Sequence, residues 1–147
     1  MKLIVWQKAM QLFELVWKTT FVEANIDFKL RSQLADAAQS ISANISEGYG
    51  RRSVSEYLQS LYYVLGSMAE TMTRAIGLKQ TQQISHERFQ DFDVLHYELK
   101  NRLLRLIEKL EQKRDDKDWV ARIAEDPEEY IITPSLHHSI TPLQSHA

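Results

Sequence analysis

The chain of 147 residues contains no cysteine, only four glycines and three prolines, and no apolar run long enough to span a bilayer. The missing cysteine excludes disulfides, thiolate catalysis and every cysteine-based zinc or iron–sulfur site. All three prolines, Pro127, Pro134 and Pro142, lie towards the C-terminus, so residues 1–113 lack the strongest helix breaker. A dominant charge is lacking too. With 18 Lys+Arg against 20 Asp+Glu and a formal net charge of −2, the chain does not coat nucleic acid by bulk charge alone. At the N-terminus, Leu3-Ile4-Val5-Trp6 meets Gln7 and Lys8 before a signal-peptide core forms. The expectation is a cytoplasmic protein that makes no membrane contact.

What is present suffices for one core: 44% hydrophobic and 26% charged residues are ordinary for a single globular domain. Residues 1–113 hold 15 basic and 13 acidic groups, whereas 114–147 hold 3 and 7. This reads as a helical body over 1–113 and an acidic, mostly irregular tail over 114–147.

Four segments of the body have helical periodicity. The first, from about Val5 to Glu23, sets Trp6, Met10, Phe13 and Trp17 on one stripe with Leu12 and Val16 beside it. The second, from about Lys29 to Glu47, spaces Leu30, Leu34, Ala37, Ile41 and Ile45 by threes and fours, and Gly48 offers a left-handed stop. Ser53 and Glu56 form a capping box for the third, whose stripe is Leu58, Leu61, Leu65, Met68, Met72 and Ile76, ending near Gly77. Ser85 caps the fourth, where Phe89, Phe92, His96, Leu99, Leu103, Leu106 and Leu110 align and Leu95, Leu104 and Ile107 widen the face.

Short connections between four amphipathic helices predict an all-α, antiparallel up-down-up-down four-helix bundle. The alternative is a pair of helical hairpins that completes its core by dimerising. In the tail, the spacing around 118–125 suits one short helix that docks Trp119, and Tyr130-Ile131-Ile132 suits an anchor.

Several local patterns occur together. The first segment carries Val5-Trp6-Gln7-Lys8-Ala9. The second carries Leu30, Ser32-Gln33-Leu34, Ala37-Ala38, Ser40-Ile41 and Asn44-Ile45-Ser46-Glu47-Gly48. Arg51-Arg52-Ser53, Glu56-Tyr57 and Leu65-Gly66-Ser67 with Glu70 follow. In this combination, residues 3–113 resemble the four-helix bundle family of 23S rRNA intervening-sequence proteins. The resemblance implies a homopentamer, no known catalytic activity, and a role tied by gene location to ribosomal RNA insertions. Related bundles are accessory proteins to the reverse transcriptases of diversity-generating retroelements and bind nucleic acid. Where the family usually has a basic pair in its second helix, this chain has Ala35-Asp36, and the tail has no family counterpart.

Candidate sites follow from residue type and spacing. Gly48-Tyr49-Gly50-Arg51-Arg52-Ser53 precedes a helix start and can hold a phosphate through backbone amides and two arginines. Turn chemistry alone also explains both glycines. The third helix has a second face of Glu56, Ser60, Tyr63, Ser67, Glu70 and Arg74, matched on the second by Gln33, Asp36, Ser40, Asn44 and Glu47. Such rows of hydroxyls, amides and isolated acids are expected to meet another subunit, or each other. The plain alternative is a solvated face with an ordinary Glu70–Arg74 pair. With the resemblance, Asn44, Glu47, Glu56, Ser60, Tyr63, Ser67, Glu70 and Arg74 become an oligomer interface, and the three acids structural rather than catalytic. The aromatic surplus in Trp6, Trp17, Phe13, Tyr57, Tyr62 and Tyr63 points the same way.

Arg102, Arg105, Lys109 and Lys113 form a basic stripe with Lys100 and Arg114 nearby. Together with Arg51 and Arg52 these are the candidate nucleic-acid contacts, strengthened by repetition round a ring. The alternative is a solvated face interleaved with Glu98, Glu108 and Glu111. Asp93-x-x-His96 has no second copy for a di-metal bundle site, and His137, His138 and His146 sit in the tail, so no metal or cofactor is expected. The reading is a non-enzymatic scaffold that binds RNA or DNA, or alternatively an adaptor that holds a protein partner.

Overall fold

The structure, a computed structural model, describes residues 3–114. The expected helix near 118–125, the Trp119 contact and the Tyr130-Ile131-Ile132 anchor lie outside the described residues. Four helices carry the fold: α1 Ile4–Trp17, α2 Phe28–Tyr49, α3 Val54–Gln80 and α4 His86–Arg114. After Trp17, α1 continues as a π-helical segment, Lys18–Glu23.

Side chains cap three of the helix starts. Asp27 Oδ1 accepts from the Lys29 and Leu30 amides at 2.9 and 3.4 Å. Ser53 Oγ accepts from Glu56 N, and Ser85 Oγ from Arg88 N, both at 3.1 Å. Each such cap stabilises its helix by ~1 kcal/mol. At the end of α3 the Gln82 amide donates to the Lys79 carbonyl and the Gln83 amide to the Leu78 carbonyl, at 3.0 and 2.9 Å. This closure needs a left-handed residue, and Gln82, with φ of 60°, takes the place glycine usually holds.

The helices run antiparallel. Along α2 and α3, Gln33 meets Arg74, Ser40 meets Ser67, and Gly48 lies against Ser60. Tyr62 meets Glu111 and Met68 meets His96 between α3 and α4, while Lys8–Glu98 and Glu23–Arg88 tie α1 and its extension to α4. Each helix packs on the next and α4 returns to α1, giving the up-down-up-down order. Leu12, Ile41, Ile45, Leu58, Leu61, Leu99, Leu103 and Leu106 are all shielded from solvent in one cluster. One chain therefore encloses its own core, unlike the hairpin-pair alternative.

The expected stripes of α2 and α4 are buried from Leu34 to Ile45 and from Phe89 to Leu110, but the buried faces of α1 and α3 are rotated from those read in the sequence. In α1 the core takes Val5, Ala9, Leu12 and Val16, whereas Trp6 and Phe13 are half-buried and Trp17 is 46% exposed. Small and branched residues fit the crowded centre, and the wide indole rings sit at its rim. In α3 the burial runs through Tyr57, Leu61, Val64, Met68 and Ala75, leaving Ile76 at the surface; Leu30, in the first turn of α2, and Leu104, at the edge of the α4 face, are exposed too.

Gly48 corrects a second expectation. It is a buried residue inside α2, and no described glycine has positive φ. A Cβ there would lie 2.7 Å from Ser60 Cβ and 2.9 Å from a Tyr57 ring carbon, so glycine is required by the approach of α3. At Gly66 a Cβ meets nothing within 4 Å, so close packing in this chain occurs at Gly48. Gly48→Ala is expected to cost roughly 1–3 kcal/mol through overpacking, while Gly66→Ala gains about 0.5–1 kcal/mol of helix propensity. Urea unfolding of both variants measures the contrast.

Candidate functional site

The polar rows of α2 and α3 face each other. Ser40 Oγ and Ser67 Oγ are 2.5 Å apart, and Arg74 Nη1 donates to Gln33 Oε1 at 2.9 Å. Ser60 is buried against Gly48, and Asn44 Nδ2 donates to the Ser40 carbonyl of its own helix. Small side chains permit this approach, and every hydroxyl drawn in needs a partner there. Of the expected interface, Ser60, Ser67 and Arg74 are thus engaged within the chain. Glu47, Glu56, Glu70 and Tyr63 remain exposed, and Glu70 makes only the plain i,i+4 pair with Arg74, at 3.5 Å. Near the α2–α3 turn these rows open into a groove of about 280 Å³ lined by Asn44, Glu47, Arg51, Glu56, Gln59, Ser60 and Tyr63.

The candidate phosphate ligands are divided by the fold. Arg51 is held by the Glu47 carboxylate, and Arg52 is exposed beside it. On α4, Arg102 Nε lies 3.7 Å from Glu98, whose carboxyl is held below its usual value mainly by the hydrogen bond from Lys8. Lys109 is buried, and that burial, with Arg105 and Lys113 nearby, pulls its ammonium down to about 8. Arg105 and Lys100 are solvent-exposed, and Lys113 is half-buried. The stripe legible in the sequence is thus three different environments.

The remaining face of α4 was not read from the sequence. Val94, Tyr97 and Leu104 are 64%, 67% and 38% exposed. With Asn101 they follow three- and four-residue steps, the spacing of a helix–helix seam. That signal was present in the sequence, but the richer leucine face of the same helix hid it.

Two titratable groups, the half-buried Tyr62 and the buried His96, join α3 to α4. Tyr62 donates to Glu111 Oε2 at 3.0 Å, and burial, with that carboxylate, pushes the phenol up to about 12. His96 sits 2.9 Å through Nε2 from the Met68 carbonyl, which can only accept, so Nε2 carries the proton. His96 is thereby a core histidine. Among the described residues, no three of His, Cys, Asp or Glu cluster to suit a metal ion.

At the far end of the bundle the π-helical segment meets the α3–α4 turn. Trp17 stacks on Phe21 at 4.1 Å, and the Arg31 guanidinium lies 4.7 Å from Phe21 and 5.5 Å from Phe28. Beside this ladder a cleft of about 420 Å³ is lined by Thr19, Glu23, Ala24, Asn25, Gln83, Ile84, Ser85 and Arg88. Sequence reasoning missed this cleft, because π-helical turns have no periodic signature of their own.

Fold and surfaces define an all-α bundle with a polar α2–α3 seam and an uncovered α4 face. The family model described as 23S rRNA-intervening sequence protein matches residues 1–105, and the chain belongs to that family. A solved structure of a protein of unknown function from the S23 ribosomal protein family of Bacteroides thetaiotaomicron VPI-5482 is similar. It shares 20% identity, with 71% of this chain and 99% of that chain covered and a TM-score of 0.60. No curated protein matches the sequence. Among the described residues, no helix is long and apolar enough to cross a membrane.

Burial holds His96 below the usual imidazole value of 6.5, with Lys100 adding to the depression and the Met68 bond and Asp93 opposing it. The unfolded chain therefore takes up a proton there first, and the stability from this site is lost as pH falls below that value. Urea midpoints are expected to fall between about pH 7.5 and pH 5, and less so in His96→Gln, whose amide still donates to Met68. An equal slope in both proteins would remove His96 as the cause.

Proposed function

We propose that this protein is a non-catalytic, cytoplasmic scaffold that assembles with copies of itself and presents cations to RNA or DNA. The observation that carries the assembly is the Val94–Tyr97–Leu104 seam. A bundle with a complete core has no use for two-thirds of a tyrosine and a valine in water on adjacent turns of one helix face. Burying such a seam gains about 25 cal/mol per Å² of apolar surface. A homopentameric ring is the form that the family resemblance implies. Nucleic acid is supported by the family's description, which refers to 23S rRNA, and by exposed Arg52, Lys100 and Arg105. Each cation contributes little alone, and copies in a ring multiply the contact.

A second reading, an adaptor for a protein partner, is favoured by one specific observation. Arg51 and Arg102 already face Glu47 and Glu98, and Lys109 is buried, so half of the six expected phosphate ligands are neutralised or withdrawn.

Multi-angle light scattering tests assembly: the native chain is expected to run as an oligomer, and Tyr97→Glu to shift it towards monomer. A monomeric native chain would reject the seam. Salt separates the two partner classes. Retention of single-stranded RNA is expected to fall steeply with salt, and Arg52→Ala with Arg105→Ala to flatten the log–log slope by roughly 1–2, at about 0.7 per phosphate lost. No retention even at low salt would leave the adaptor.

A further inference from the structure

The cleft at the π-helical end has a feature that the fold does not account for. Thr19 lines it, is only 7% exposed, and its hydroxyl has no hydrogen-bond partner, whereas the neighbouring Thr20 hydroxyl donates to the Val16 carbonyl at 2.7 Å. A buried hydroxyl left alone costs about 1–3 kcal/mol. A ligand in the cleft can remove that cost.

The walls specify the ligand. The charges cancel: Arg88 Nη2 is 2.7 Å from Glu23 and Nη1 is 3.2 Å from Asp91, so the cleft suits a neutral molecule. What remains are amides and hydroxyls. Gln83 Nε2 donates to Thr81 Oγ1 at 3.1 Å, leaving its carbonyl oxygen to accept. Ser85 Oγ accepts from Arg88 N, so its proton is available to donate. Asn25 offers a donor and an acceptor side by side, the pair that reads a base edge. Thr19, Ile84 and Arg88 also border an adjoining small chamber walled by Leu15, Val16 and Phe92, and Ile84 supplies a surface for a flat ring. The volume of about 420 Å³ lies in the small-ligand range.

We infer that this cleft binds a neutral nucleobase, held by Thr19, Asn25, Gln83 and Ser85. The inference rests on the nucleic-acid reading where the base comes from a single strand. A free nucleoside is the other source of the same chemistry. Recognition of unstacked bases by their edges is how single-stranded RNA is read specifically.

Amide NMR of the full chain, titrated separately with the four ribonucleosides, with ribose alone and with a single-stranded RNA 15-mer, tests this. Saturable shifts at Thr19, Asn25, Gln83 and Ser85 are expected with at least one nucleoside and none with ribose. Thr19→Val, which keeps the shape and removes the hydroxyl, is expected to weaken nucleoside binding two- to tenfold while raising the thermal midpoint. Shifts at these residues with the 15-mer as well identify a strand as the source; shifts with nucleosides alone identify a free nucleoside, and both support the cleft. A 15-mer that binds in a salt-dependent way while neither it nor any nucleoside moves these four residues overturns the inference and leaves the nucleic-acid reading standing. No shift there with any probe, or equal shifts with ribose, overturns the inference as well.

Discussion

The close approach of α2 and α3 at Gly48 is the constraint on which the rest depends. With no side chain at that position, Ser60 and Tyr57 of α3 can lie against the α2 backbone. At that spacing, Ser40 reaches Ser67 and Gln33 reaches Arg74 further along the same seam. Those bonds pair polar groups drawn half into the seam, and they set the register in which Leu58, Leu61 and Met68 meet Ile41 and Ile45 in the core.

Register on one side decides exposure on the others. Once α3 turns Tyr57 and Val64 inward, its Tyr63 edge faces out and Ile76 comes to the surface. In α4, the leucine face is absorbed and Val94, Tyr97 and Leu104 remain outside. In α1, the tryptophans move to the rim, where Trp17 joins Phe21, Arg31 and Phe28 in a stacked row. The uncovered surfaces are thus residues of the packing, and their chemistry sorts them into an apolar seam, a polar groove and a neutral amide-lined cleft.

Much of the fold was legible from local pattern. Asp27, Ser53 and Ser85 act through bonds within three residues of themselves, and capping of that range is written in the sequence; the Ser53 and Ser85 caps were read there, the Asp27 cap was not. The family likeness over residues 1–105 was legible for the same reason, since its motifs are short and contiguous. The candidate site was legible only in composition. Arg51, Arg102 and Lys109 look alike as a list of cations, yet one is paired with its own helix, one sits by a carboxylate that Lys8 of α1 also holds, and one is buried.

By itself, the sequence determined the number of helices, all four of their starts to within a residue or two, and the antiparallel bundle, because periodicity, caps and short connections act over a few residues. Tertiary structure alone decided how the buried faces of α1 and α3 are turned, why Gly48 is a glycine, where the π-helical segment opens a cleft, and which charges stay in water. These depend on partners tens of residues away, such as Gln33 with Arg74 or Glu23 with Arg88. Only the packed bundle brings them within a few ångströms.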